Sequence, residues 1–151
     1  MDKLKTPDGP FIILMAEDDL DDQMLVQEAF EEVYLKNPLQ FVNDGEELMD
    51  YLHRRGEYTS LKAEPLPGLI LLDLNMPRMD GREALKEIKN DPKLRKIPIV
   101  ILTTSKADED VVKSYDLGAS SYIVKPVTLQ NLMNVARSLG QYWIEIVTLP
   151  R

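Results

Sequence analysis

Four groups able to handle phosphate follow four apolar runs in this chain. Glu17-Asp18-Asp19 follows the run from Phe11 to Ala16, and Asp73 ends the run Leu69-Ile70-Leu71-Leu72. Thr103-Thr104-Ser105 ends the run from Ile97 to Leu102, and Lys125-Pro126 follows the run from Ser121 to Val124. Carboxylates gathered near Asp73 repel one another, so such a site needs a divalent cation, and a hard, oxygen-rich site with few protein ligands suits Mg²⁺. With phosphoryl oxygens held against it, Asp73 can act as a nucleophile. Lys125 offers a point charge for another phosphoryl oxygen, and the Thr103 hydroxyl can donate to the phosphate once it arrives.

Each group alone has an ordinary explanation. A single Asp at a strand end is a turn former, Lys125 is a solvated lysine, and Thr103 is a strand-end β-branched residue. An acidic run before a helix favours the helix dipole, the role given to Asp21 and Asp22. Glu17 and Asp18 precede the helix and better suit metal binding. His53 lies beside Arg54 and Arg55 and reads as a solvated side chain. The order of the four groups at four of the five strand ends carries the weight.

The elements that must position them alternate between apolar runs and helix-period segments. Strands are expected from Phe11 to Ala16, Leu39 to Val42, Leu69 to Asp73, Ile97 to Leu102 and Ser121 to Val124. Helices are expected from Leu20 to about Leu35, Asp44 to about Arg54, Arg82 to about Asn90, Ala107 to Leu117 with Gly118 as its stop, and Thr128 to about Ile146. Gly56 to Gly68, with Pro65 and Pro67, reads as a long loop. Continuously apolar strands are buried on both faces, which means a parallel sheet between helix layers. Five βα repeats give a doubly wound α/β domain, a five-stranded parallel sheet in a flavodoxin-like three-layer sandwich. In such a sheet ligands bind beyond the carboxyl ends of the strands.

The 151 residues suffice for one domain. Residues 1–10 are expected to be a flexible segment, 11–147 a single domain and 148–151 a tail. A net charge of −8 argues against holding nucleic acid. No apolar run approaches a membrane span and Met1 to Pro10 lacks a signal-peptide core, so the cytoplasm is the default. The chain has no cysteine and one histidine, which excludes disulfides, thiolate metal sites and multi-histidine metal sites.

From about Phe11 to about Gly140 the chain resembles the response-regulator receiver family. The acidic pair after the first strand, the run Leu-Leu-Asp-Leu-Asn-Met-Pro-x-Met-Asp-Gly from Leu71 to Gly81, Thr103 and Lys125-Pro126 fall in the family's order. The resemblance implies that Asp73 is the phosphoacceptor, that Asp18 is a direct Mg²⁺ ligand and that Glu17 acts on the metal through water. It implies that Asn75 supplies its backbone carbonyl to the metal, Thr103 is the switch hydroxyl, Lys125 binds phosphate, and Tyr122 is the switch aromatic. Such a chain is a signalling phosphoacceptor, catalysing only its own phosphorylation and slow dephosphorylation. Glu17 stands where aspartate is commoner, and Thr104 where a smaller residue is often found. The Gly56–Gly68 loop, Leu-Thr-Thr-Ser and the tail Tyr-Trp-Ile-Glu-Ile-Val-Thr-Leu-Pro are similar to single-domain regulators paired with bacterial and cyanobacterial phytochromes. That similarity implies a phytochrome-linked histidine kinase as donor. It also implies a homodimer through the fourth helix, fifth strand and last helix; the apolar tail Tyr142, Trp143, Ile144, Ile146, Val147 and Leu149 either joins that interface or folds back on its own domain.

Three rivals fit less well. A haloacid-dehalogenase-like phosphatase needs a second Asp two residues after the nucleophile as general acid, where this chain has Asn75. A flavodoxin-like flavin binder needs an N–H-rich loop after the first strand, where Glu17 to Asp22 would repel phosphate. A receiver-like module that no longer accepts phosphate is disfavoured because every required residue is present.

Overall fold

The computed structural model describes residues 5–6, 9–32, 37–76, 78–103, 121–124, 128–134 and 137. Strands β1 (Ile13–Ala16), β2 (Leu39–Val42), β3 (Leu69–Asp73), β4 (Ile99–Thr103) and β5 (Ser121–Val124) form one sheet. Every pairing in it is parallel and the order is β2-β1-β3-β4-β5. This is the doubly wound arrangement expected from the alternation of apolar runs and helical segments. Residues 5–6 also pair with 9–10 as a short antiparallel ribbon.

Side-chain alternation divides the core between the two faces. Ile13, Met15, Leu69, Leu71, Val100 and Leu102 pack with Val26, Ala29 and Phe30 of helix α1 (Leu20–Glu32) and with Leu132 of the helical residues 129–134. Leu14, Ala16, Ile70, Leu72, Ile99 and Ile101 pack on the other face, under helices α2 (Gly45–His53) and α3 (Gly81–Lys89). Fully burying each such Leu or Ile contributes roughly 1.5–3 kcal/mol. The buried face expected for α2, Leu48, Met49, Tyr51 and Leu52, is the one observed.

Element ends differ from the sequence expectation where hydrogen bonds decide them. The Asn37 side chain donates to the Phe11 carbonyl, so β1 starts at Ile13 rather than Phe11. Asp44 and Asp80 cap α2 and α3, accepting from the Glu47 and Arg82 backbone N–H groups at 2.8 and 2.7 Å. Arg54 ends α2 in the left-handed region with φ of 56°. The 56–68 loop is not structureless: Gly56–Leu61 forms a 3-10 turn. Arg54, 8% exposed, fastens this loop to the end of α2. It donates to the Tyr51 and Pro65 carbonyls at 2.9 and 2.8 Å, with its guanidinium 4.8 Å over the Tyr51 ring. The fourth helix, the end of the last helix and the C-terminal tail lie outside the described residues.

Candidate functional site

The chain diverges at β1, with β2 on one side and β3 on the other. Such a switch point opens a crevice beyond the strand ends. Ala16 is in register with Leu72, so the next residues, Glu17 and Asp73, stand side by side on adjacent strands about 4.8 Å apart. Both are buried, at 0% and 1% exposure, while Asp18 is exposed. Carboxylate oxygens of Glu17, Asp18 and Asp73 all lie within 4.8 Å of one another. One carboxylate at the mouth and two beneath it make a hard anionic pocket open to solvent.

Local hydrogen bonds hold these groups. The Glu17 N–H continues the β1–β2 ladder by donating to the Val42 carbonyl at 2.9 Å, and Glu17 Oε2 accepts from the Asp19 N–H at 3.3 Å. Asp19 Oδ1 accepts from the N–H groups of Asp21 and Asp22 at 2.9 and 3.3 Å, so Asp19 caps the start of α1. The acidic run is therefore divided: Asp19 caps, Asp21 and Asp22 occupy the first turn where the helix dipole favours them, and Glu17 and Asp18 face the site. The Asn75 N–H donates to Asp73 Oδ1 at 2.9 Å, turning the chain beyond β3 and fixing the carboxylate rotamer.

The loop beyond Asp73 is held from two directions. Gly81 donates to the Leu74 carbonyl at 3.0 Å, and a Cβ on Gly81 would stand 2.3 Å from the Asp73 carbonyl oxygen. Only glycine lets α3 begin so close to the end of β3. Arg78, with φ of 60°, pairs with Asp44 at 3.2 Å and Glu46 at 3.4 Å, anchoring the same loop to the start of α2.

The remaining residues singled out from the sequence are placed by backbone alone. Thr103 ends β4 one step beyond Leu102, the register partner of Asp73, and Tyr122 pairs with Ile101 on β5. The side chains of Thr103 and Tyr122, and all of Lys125, lie outside the described residues. His53 is exposed, with Nε2 4.0 Å from Glu87, as its sequence context suggested. The caps at Asp19 and Asp80 and the close approach at Gly81 were missed in the sequence. The Asp80-Gly81 pair before a helical segment was the available signal.

The donor set fits a small divalent cation. It is all oxygen and offers three carboxylates in a space where like charges otherwise repel.

Comparison with known proteins agrees with this geometry. The family model described as response regulator receiver domain matches residues 13–137. The chain is 43% identical over 141 residues to response regulator Rcp1 of Synechocystis sp., covering 93% of this chain and 94% of that protein. Among solved structures, the phosphorylated cyanobacterial phytochrome response regulator RcpA matches with a TM-score of 0.76 and 41% identity, over 93% of this chain and 99% of that one. The Mn²⁺-bound form of Rcp1 matches with a TM-score of 0.76 and 42% identity, over 94% and 100% of the two chains. With its sheet order, its carboxylate pocket and these matches, the chain belongs to the response regulator receiver domain family of two-component signalling proteins.

Proposed function

We propose that Asp73 accepts a phosphoryl group from a phosphohistidine of a phytochrome-linked histidine kinase, with Mg²⁺ as the cation. The convergence of Glu17, Asp18 and Asp73 at adjacent strand ends carries this reading. Asp18, Asp73 and the Asn75 backbone carbonyl would hold the cation directly, and Glu17 would act on it through water. When bound, Mg²⁺ offsets the carboxylate charge and the charge on the phosphoryl oxygens.

The chain's own residues do the rest. An Asp73 carboxylate oxygen forms the new O–P bond as the N–P bond of the donor breaks, and the bonding electron pair leaves with the histidine. The Asn75 N–H fixes the rotamer of the attacking group. Burial of Asp73 limits access of water to the acyl phosphate. Lys125 pairs with a phosphoryl oxygen, and the Thr103 hydroxyl donates to another. Tyr122 then repacks, and the face formed by the fourth helix, β5 and the last helix changes its association. The readout is homodimerisation through that face and the C-terminal tail.

Kinship with Rcp1 and RcpA supports the phytochrome-linked donor, because RcpA is a phytochrome response regulator. The Mn²⁺-bound form of Rcp1 supports a divalent cation in the relatives' sites. Among the described residues no helix is long and apolar enough to cross a membrane, and we place the protein in the cytoplasm with its kinase.

The test is intact mass after incubation with acetyl phosphate. One phosphoryl adduct is expected with Mg²⁺, none without it, and none in Asp73→Asn. A full adduct in Asp73→Asn refutes the assignment. Sedimentation with and without beryllofluoride tests the dimer, and an unchanged profile counts against it.

A further inference from the structure

Side chains that phosphoryl transfer does not use tie the carboxylate pocket to the 56–61 turn. Gln23 Nε2 donates to the Glu17 backbone carbonyl at 2.6 Å and to Asn43 Oδ1 at 3.3 Å. Asn43 in turn donates to Glu47 Oε1, from its backbone N–H at 2.7 Å and from Nδ2 at 3.3 Å. The other Glu47 oxygen accepts from the Tyr58 hydroxyl at 2.5 Å. The Tyr58 ring stands edge-on to Tyr51, with centroids 5.0 Å apart at 69°. Burial, then the Glu47 carboxylate, push the Tyr58 phenol well above its ordinary range, so it stays protonated and donates.

These bonds run without a break from the turn to the residue that bears a site carboxylate. The ends are far apart in sequence: Tyr58 belongs to the turn, Glu47 to α2, Asn43 to the β2–α2 corner, and Gln23 to α1. Glu17 is held on both sides of its peptide, its N–H by the Val42 carbonyl and its carbonyl by Gln23. These two bonds set the backbone position from which its carboxylate, itself accepting from the Asp19 N–H, reaches toward Asp73. Asn43 follows Val42 directly, so the second hold and the first share the end of β2.

We propose that Gln23, Asn43, Glu47 and Tyr58 are positioning residues for the divalent cation, so that the 56–61 turn sets cation affinity at a distance. The inference rests on the carboxylate-pocket reading above. A chain of this kind acts as a unit: once one bond is cut, the bonds beyond it no longer hold Glu17.

The test titrates Mg²⁺ alone into the full chain by calorimetry. Gln23→Leu cuts the network at the pocket and Tyr58→Phe cuts it at the far end by removing one oxygen. Each is expected to lower affinity about threefold to tenfold, the worth of one hydrogen bond and less than the about tenfold to hundredfold of partners bonded directly to a metal ligand. The double variant is expected to bind no worse than Gln23→Leu within about twofold, because the two changes cut one chain. Glu47→Gln keeps an acceptor oxygen and should recover part of the affinity lost in Glu47→Ala. A merely structural role would lower the cation-free urea midpoint while leaving the affinity of the folded chain alone. Wild-type affinity in Tyr58→Phe, or losses that simply multiply in the double variant, overturns the network and leaves the pocket reading standing. A wild-type chain that binds no Mg²⁺ overturns both.

Discussion

Gly81 is where α3 meets the end of β3 at Asp73, and an added methyl group there has no space. Its carbon would stand 2.3 Å from the Asp73 carbonyl oxygen, 2.5 Å from Leu74 Cα and 3.0 Å from the Asp73 carbonyl carbon. All three are backbone atoms, which cannot swing aside as a side chain can. Favourable carbon contacts begin near ~3.5 Å, so Gly81→Ala forces α3 or the end of β3 to move by about 1 Å. Overpacking of this kind costs about 1–3 kcal/mol, and the better helix propensity of alanine offsets at most about 1 kcal/mol. A net loss of about 1–2 kcal/mol, with a urea slope of about 2 kcal/mol per molar, lowers the midpoint by about 0.5–1 M. Two of the three atoms belong to Asp73 itself. Misplacement by about 1 Å can slow a reaction by about a hundredfold, so phosphoryl uptake from acetyl phosphate should fall at least tenfold. Equilibrium urea unfolding and the rate of adduct formation by mass provide the two assays. A midpoint within about 0.2 M of wild type, together with an uptake rate within twofold, would refute the packing argument.

Arg54→Ala removes the bonds to the Tyr51 and Pro65 carbonyls and the stack on Tyr51. It should cost about 2 kcal/mol and speed limited proteolysis within 56–66, and an unchanged cleavage rate would contradict that role. Asp80→Ala deletes the cap on the Arg82 N–H. It should lower stability by about 1 kcal/mol in denaturant titration, and no loss would mean the cap is idle. Tyr58 carries a pH dependence, because its phenol is held above its ordinary value of 10.0 by burial and then Glu47. Above that pH the unfolded chain has released this proton and the folded chain keeps it, so stability falls as pH rises from about 10. Burial lowers the Lys89 value, which acts in the opposite sense below 10.5. The comparison is therefore wild type against Tyr58→Phe: the steeper loss above pH ~10 belongs to the wild type, and equal slopes would contradict the assignment.

The sheet was legible because apolar runs such as Leu69 to Leu72 have no solvent-facing alternation, and only two-sided burial explains them. The pocket was legible because its acids follow strand ends, and the topology brings those ends together. The ends of the elements were less so. Asp19 reads as one more acid in a run until its carboxylate is seen accepting from Asp21 and Asp22. The 56–68 segment carries loop residues, yet it folds into a turn because Arg54 and Tyr58 find partners distant in sequence. The hydrogen bonds joining Gln23, Asn43, Glu47 and Tyr58 depend on side-chain positions set only after the sheet and helices have packed. No periodicity or motif encodes them.

Asp73 is the residue proposed to bear the phosphoryl group. Borohydride reduction of the chain after treatment with Mg²⁺ and acetyl phosphate, followed by peptide mass mapping, reads that position directly. Conversion of Asp73 alone to homoserine is the expected result. Reduction at Asp18 or another carboxylate, with Asp73 untouched, would contradict the account.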